Sequence, residues 1–384
     1  MRGQRPKMSA CEPTLNSSYL QSAKRNFVAL DMLRGIAAIA VVFRHLNHAT
    51  FEFLPSSGLA VDLFFVLSGF VVAHAYEEKL RTTMSFPSFL KIRLLRLYPM
   101  YIAGTLASAV GVTIFTISGV DWDNFAWTLA FAILFLPVFP SLAYGGTHLY
   151  PFNFPAWSLC WELAINFFYA LVVSRLTNRI LGGILFAGIW FLCAAAWFYG
   201  DLTGGSSFSN MWAGPLRVVY SFFAGVGAYR IWRAGYLALL RINIFVAMAI
   251  LLLVFSIRPA NDALYDLAAT LFVFPVLVLA TSDADTGRLR SVSSWLGNVS
   301  YPVYAIHAAF LPLEKPFYKY IGGPVSTVGI PGEVAFVAMI VVVAFAAEKL
   351  YDAPLRGYVK SRADAATRAN SALHNADGPL IGRH

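Results

Sequence analysis

Two side chains in one apolar run are placed to do chemistry. Residues 27–46 read FVALDMLRGIAAIAVVFRHL and carry Arg34 and His45. A central ionisable group in such a run costs about 2.5–3.5 kcal/mol on insertion scales, so it persists where it has a task. The two positions are eleven residues apart. At about 100° and 1.5 Å per residue they share one helix face, roughly 16 Å apart along the axis. A guanidinium is a forked donor for anions and carbonyls, and an imidazole takes and returns protons near neutral pH. Asp31, three residues before Arg34, is its natural local partner.

Four further stretches add polar groups to apolar surroundings. In VDLFFVLSGF, Asp62 and Gly69 share a face at seven-residue spacing, and the glycine allows close helix approach. Asp62 reads either as a functional carboxylate or as an acid at a helix N-terminus, where the dipole favours it. In KIRLLRLYP, Arg93 and Arg96 project from one side of a helix and suit phosphate oxygens, although a basic membrane anchor has the same composition. In PAWSLCWELAINFFYAL, Ser158, Glu162 and Asn166 form a stripe at four-residue spacing. Glu162 lies too deep to be a cap, and His45 or Arg34 is the economical partner for it. Trp157 and Trp161 fit an interfacial aromatic belt. In WLGNVSYPVYAIHAAF, Ser300, Tyr304 and His307 cluster on one side of a helix and lead to a second imidazole.

The elements that must hold these groups are membrane helices. The 384-residue chain is 58% hydrophobic and 13% charged, against about 25% charged in a soluble domain. Its mean hydropathy is +0.63. A net charge of +9 would suggest nucleic acid in a soluble protein, but in this chain the basic residues sit in short loops and set orientation. Cys11, Cys160 and Cys193 are scattered, with neither disulfide nor metal spacing. Spans are expected near 27–46, 58–76, 99–118, 155–174, 180–199, 212–229, 242–257, 264–281, 298–313 and 331–350. If residues 125–140 entered and left on one side, every later basic loop would face the cytoplasm. The expectation is an all-α polytopic protein with about ten transmembrane helices and a re-entrant or interfacial segment at 125–140. Polar, basic tails at 1–26 and 351–384 would both be cytoplasmic. No internal repeat or soluble domain is evident.

In order, LDMLRGIAAIAVVFRHL, VDLFFVLSGF, RLLRLYP, WSLCWE and SYPVYAIH resemble the acyltransferase-3 family of integral membrane acyltransferases, over about residues 27–350. Arg34 and His45 match its R-x10-H signature, Arg93 and Arg96 its RxxR, and Trp157, Ser158 and Glu162 its W-S-x-x-x-E. Cys160 and Trp161 depart from that last pattern and leave one carboxylate there. The resemblance implies O-acylation, commonly O-acetylation, of a carbohydrate or other hydroxyl-bearing envelope or secreted molecule. The implied donor is a cytoplasmic acyl-CoA, acetyl-CoA in the usual case, and the implied place is the inner membrane. On that reading Arg93 and Arg96 bind the polyanionic donor and His45 is the base, oriented by Glu162 or Asp62. Arg34 holds the thioester end or the oxyanion, and Trp157, Ser158, Asn166, Tyr304 and His307 line the site. No metal enters this reading. The competing reading is a transporter or flippase of an envelope precursor, since intramembrane charges mark transport paths too.

Overall fold

The computed structural model describes residues 26–46, 54–115, 119–236, 241–323, 325–359 and 361–362. The tail expected at 1–26, apart from Asn26, lies outside the described residues, as do Cys11 and residues 363–384 of the expected C-terminal tail.

Among the described residues the chain is helical, with no strand and one isolated bridge between His148 and Ser207. The helices are α1 Val28–Arg44, α2 Ala60–Thr82, α3 Phe86–Phe115, α4 Trp122–Ile133, α5 Ala156–Val172, α6 Asn178–Tyr199, α7 Ala213–Ala234 and α8 Ile244–Ser256. There follow α9 Asp262–Ala268, continuing through a π turn into α10 Phe274–Thr281, then α11 Arg290–Phe310, α12 Glu314–Ile321 and α13 Val325–Ala347, which is kinked at Gly329. Polar residues start several of them. The side chains of Asp121, Thr177, Asn243 and Asn261 accept from backbone N–H groups in the first turns of α4, α6, α8 and α9. Gly200 and Gly235, both left-handed, end α6 and α7.

Each stretch read as a span falls on a helix over its described residues, 116–118 of the third lying outside them. Five are long and apolar enough to cross a membrane: α2, α3, α6, the α9–α10 unit and α13. The others fall short by length or polarity. Helices α1 and α5 have 17 residues and α8 has 13. Helix α7 carries Arg217, Arg230 and Arg233, and α11 carries Ser300, Tyr304 and His307. Helix α2 is central, with 67% of its apolar window buried, whereas α6 buries 28% and exposes Phe186, Trp190, Trp197 and Phe198.

Glycines bring the central helices together. A Cβ on Gly69 of α2 would lie 1.9 Å from the Phe222 carbonyl oxygen, and one on Gly225 of α7 would lie 2.0 Å from that of Val66. Each backbone therefore rests on the other. Gly35 on α1 and Gly297 on α11 make a second such contact, against Leu296 and Asp31. Helices α1 and α11 run parallel, since Arg34 meets Gly297 and His45 meets His307.

Residues 125–140 form a hairpin. The 12 residues of α4 run back along α3, and the chain turns at Phe135, a non-glycine residue with φ 58°. The carbonyls freed at the turn, of Ala132, Ile133 and Phe135, accept from the hydroxyls of Tyr101, Tyr98 and Tyr150. Tyr98 and Tyr101 lie midway along α3, so protein hydroxyls satisfy the freed carbonyls of the turn, as a re-entrant segment would require. Phe125 and Phe152, before and after the turn, pack with Ala109 in one cluster, so the chain enters and leaves on the same side.

Candidate active site

Three cavities follow one another between α1, α2, α3, α5 and α11. The first is a vestibule of 560 Å³ whose lining includes Asp31, Arg34, His74, Lys79, Arg96 and Arg356. The second is a waist of 90 Å³, lined among others by Arg34, Arg93, Arg96, Ser158, Glu162, Ser300 and Tyr304. The third, 420 Å³, is lined among others by Arg44, His45, Trp157, Thr203, Arg217 and Tyr304. Arg34, Arg96 and Tyr301 line both vestibule and waist, and Val61 and Tyr304 line both waist and far cavity. The cavities therefore form one route with a narrow centre.

Helix α1 contributes as its spacing predicts. Arg34 stands where vestibule meets waist and His45 stands in the far cavity. The expected Asp31–Arg34 pair is present at 2.7 Å. Arg34 also donates from Nη2 to the Gly297 carbonyl and from Nε to Ser300 Oγ, both at 3.0 Å. These bonds hold the fork in place and leave its Nη1 hydrogens without a partner among the described residues. His45 Nδ1 is 3.0 Å from His307 Nε2, and Phe154 meets the His45 ring edge-to-face at 4.7 Å.

Glu162 corrects the sequence reading. It pairs with neither His45 nor Arg34. Its Oε1 accepts from Arg93 Nη2 and from Ser68 Oγ, both at 2.9 Å. The reason is that Arg93 is not at the surface: α3 begins at Phe86, and Arg93 points inward with 3% of its surface exposed. A buried guanidinium needs a counter-charge, and α5 turns Glu162 to meet it. Arg96, one turn on, is exposed at the vestibule with no hydrogen bond or ion pair among the described residues.

The stripe on α5 is also divided. Ser158 faces α11, with its Oγ 2.6 Å from the Tyr304 hydroxyl. Asn166 is buried outside the three cavities and donates to the Glu162 carbonyl on its own helix. Trp157 is not a belt residue. It is 5% exposed, and the Arg217 guanidinium lies 5.3 Å from its ring centroid. Gly205, at φ 133°, admits the ring, since a Cβ there would lie 2.4 Å from Trp157 Cζ3.

Asp62 is the second correction. It contacts neither His45 nor the backbone of its own first turn. Its two oxygens accept from Arg217 Nε and Nη2 at 3.2 and 2.6 Å, with the side chains 0% and 1% exposed. This bidentate pair joins α2 to α7. Arg217 was missed by the sequence reading, although an arginine inside the span at 212–229 is the very signal that marked Arg34. Glu77 makes a comparable lock nearer the vestibule end, accepting from Arg230, Arg81 and Tyr169.

The family model described as acyltransferase domain matches residues 27–349. The chain belongs to the acyltransferase-3 family. "Protein 2 in picA locus" of Rhizobium radiobacter is 40% identical over 171 residues, which is 41% of this chain and 88% of that protein. "Acyltransferase MdmB" of Streptomyces mycarofaciens is 27% identical over 316 residues, 73% of this chain and 77% of that one. A Staphylococcus aureus protein with the provisional description O-acetyltransferase is 23% identical over 320 residues, 77% of this chain and 52% of the larger relative. No solved structure matches. The positions through which this acyltransferase-3 chain resembles its family, Arg34, His45, Arg93, Arg96, Trp157, Ser158 and Glu162, all line the route.

Proposed function

We propose that this membrane O-acyltransferase moves an acyl group, acetyl in the first instance, from acyl-CoA to a hydroxyl of an envelope or secreted carbohydrate. The observation that carries this reading is the route itself. A wide vestibule, where Arg96 has no hydrogen bond or ion pair among the described residues, narrows to a waist and reopens beside an imidazole. The phosphates of CoA are met at the vestibule by Arg96 and by Lys79, and the Nη1 hydrogens of Arg34 receive polar groups at the entrance to the waist. The pantetheine arm is about as long as five extended residues, roughly 17 Å. That spans the roughly 16 Å of helix axis between Arg34 and His45.

The same distance separates two roles the sequence left open. Arg34 is too far from His45 to meet an oxyanion there, so it serves the donor arm. The Ser158 and Tyr304 hydroxyls, at the junction of waist and far cavity, meet the thioester carbonyl instead. His45 takes the proton of the acceptor hydroxyl, whose oxygen bonds to the acyl carbon as the C–S bond breaks. The departing thiolate receives that proton. The far cavity, with Trp157, Thr203 and Ser206 in its lining, offers an aromatic face and hydroxyls to a sugar. The basic vestibule end faces the cytoplasm of the inner membrane by the positive-inside rule, with ten crossings and both termini inside.

The test compares O-acetyl esters on surface and secreted glycans by NMR in wild type, a deletion strain and a His45→Ala complement. Loss of one acetyl signal on deletion, restored by the wild-type gene alone, is the expected result. Unchanged esters together with a glycan retained inside the cell would overturn the reading in favour of transport.

A further inference from the structure

The geometry points to His307 as the positioning residue that fixes His45 in its Nδ1–H tautomer, leaving the Nε2 lone pair as the base. This rests on the transferase reading above. His307 is buried, and its Nδ1 lies 2.9 Å from the Tyr304 carbonyl oxygen and 3.3 Å from that of Val303. A carbonyl oxygen only accepts, so Nδ1 of His307 carries a hydrogen. In the neutral ring Nε2 is then an acceptor. Its partner at 3.0 Å is His45 Nδ1, which must be the donor. The two rings are within 9° of parallel with centroids 5.2 Å apart, the arrangement of an edge-to-edge N–H···N bond rather than of face stacking. His45 Nε2 is left unprotonated in a ring that lines the far cavity.

The opposite polarity fails. It would set an unprotonated His307 Nδ1 against two carbonyl lone pairs, or make His307 a buried cation. Among the described residues, the acids of the route do not offset that cation, since Asp62 is engaged by Arg217 and Glu162 by Arg93. A free imidazole favours the Nε2–H tautomer, which would present a donor rather than a base to the acceptor. His307 removes that choice. When His45 takes the acceptor's proton on Nε2, its Nδ1–H keeps the same bond to His307, so the ring does not turn before the proton passes to the leaving thiolate.

The experiment has a spectroscopic arm and a kinetic arm, both on the full chain in lipid. In protein labelled with 15N-histidine, the His45 signals are assigned by their loss in His45→Ala. The expected spectrum has a protonated Nδ1 and an unprotonated Nε2 on His45, reverting to Nε2–H in His307→Phe. In acyl transfer, His307→Phe is expected to lose on the order of 100-fold or more in kcat with donor KM unchanged. His307→Gln, whose amide oxygen can accept from His45, is expected to stay within about tenfold of wild type. An Nε2–H tautomer on wild-type His45, or a folded His307→Phe with wild-type kcat, overturns the proposal. If His307→Phe does not fold, the wild-type spectrum and the glutamine variant decide alone. Wild-type protein that forms no ester sinks the transferase reading, while the spectrum still decides the histidine pair.

Discussion

Asp62→Ala should destabilise the central helix pair rather than disarm the proposed base. The carboxylate and Arg217 are each essentially fully buried, and they share two hydrogen bonds. Without Asp62 the guanidinium keeps the carbonyls of Gly204, at 2.6 Å, and Gly58, at 3.5 Å, but no counter-charge. Breaking a buried ion pair from one side costs about 3–5 kcal/mol. For a chain of 384 residues that corresponds to a melting temperature lower by about 4–6 °C. Removing both charges is different, because replacement of a buried pair by apolar groups of similar size is often neutral. Asp62→Ala combined with Arg217→Met should recover most of the lost melting temperature. The assay is thermal unfolding of detergent-solubilised protein followed by size-exclusion chromatography, with acyl transfer measured on the same samples. A double variant as unstable as Asp62→Ala would refute the pairing argument. A double variant that is stable yet inactive, while Arg217→Met alone is active, would return Asp62 to the chemistry.

Two further outcomes follow from the packing and the vestibule. Gly69→Ala forces a Cβ to within 1.9 Å of a backbone oxygen on α7 and should abolish monodisperse protein, whereas Gly182→Ala on α6, with nothing within 4 Å, should be neutral or stabilise by up to about 1 kcal/mol; equal elution profiles for the two would refute the tight α2–α7 contact. On the proposed placement of the donor's phosphates at Arg96, far from His45, Arg96→Ala should raise the donor KM several-fold and blunt its salt dependence with kcat unchanged; a fall in kcat at constant KM would place it elsewhere.

What could be read in the sequence was what one helix decides alone. Arg34 and His45 share a face because eleven residues close three turns, and Asp31 meets Arg34 because three residues close one. Gly69 marked a close approach for the same reason, and the charge pattern marked 125–140 as a re-entrant or interfacial segment, which folds as a hairpin. What could not be read was the choice of partner between helices. Glu162 could have met Arg34, His45 or Arg93, and the rotation of α5 against α3 decides among them. Arg93 looked like a surface anchor because the helix that carries it starts at Phe86, thirteen residues before the apolar span does. Trp157 looked like a belt residue because its pocket is made by Gly205 and Arg217, which are distant in sequence.

The pairing of acids with arginines explains why His45, the proposed base, has an imidazole as its neighbour. Asp31 answers Arg34, Asp62 answers Arg217, Glu77 answers Arg230 and Glu162 answers Arg93. Each arginine has a separate reason to be there, as a support for the waist or as a lock between helices, and each would be costly to bury alone. Turning Glu162 or Asp62 toward His45 would strand a guanidinium at 3% exposure or less. Among these four described pairs, no carboxylate can turn toward His45 without leaving an arginine unpaired. An imidazole held by a backbone carbonyl does the same orienting work without adding charge to the interior, and His307, bonded through Nδ1 to the turn that contains Tyr304, is that imidazole.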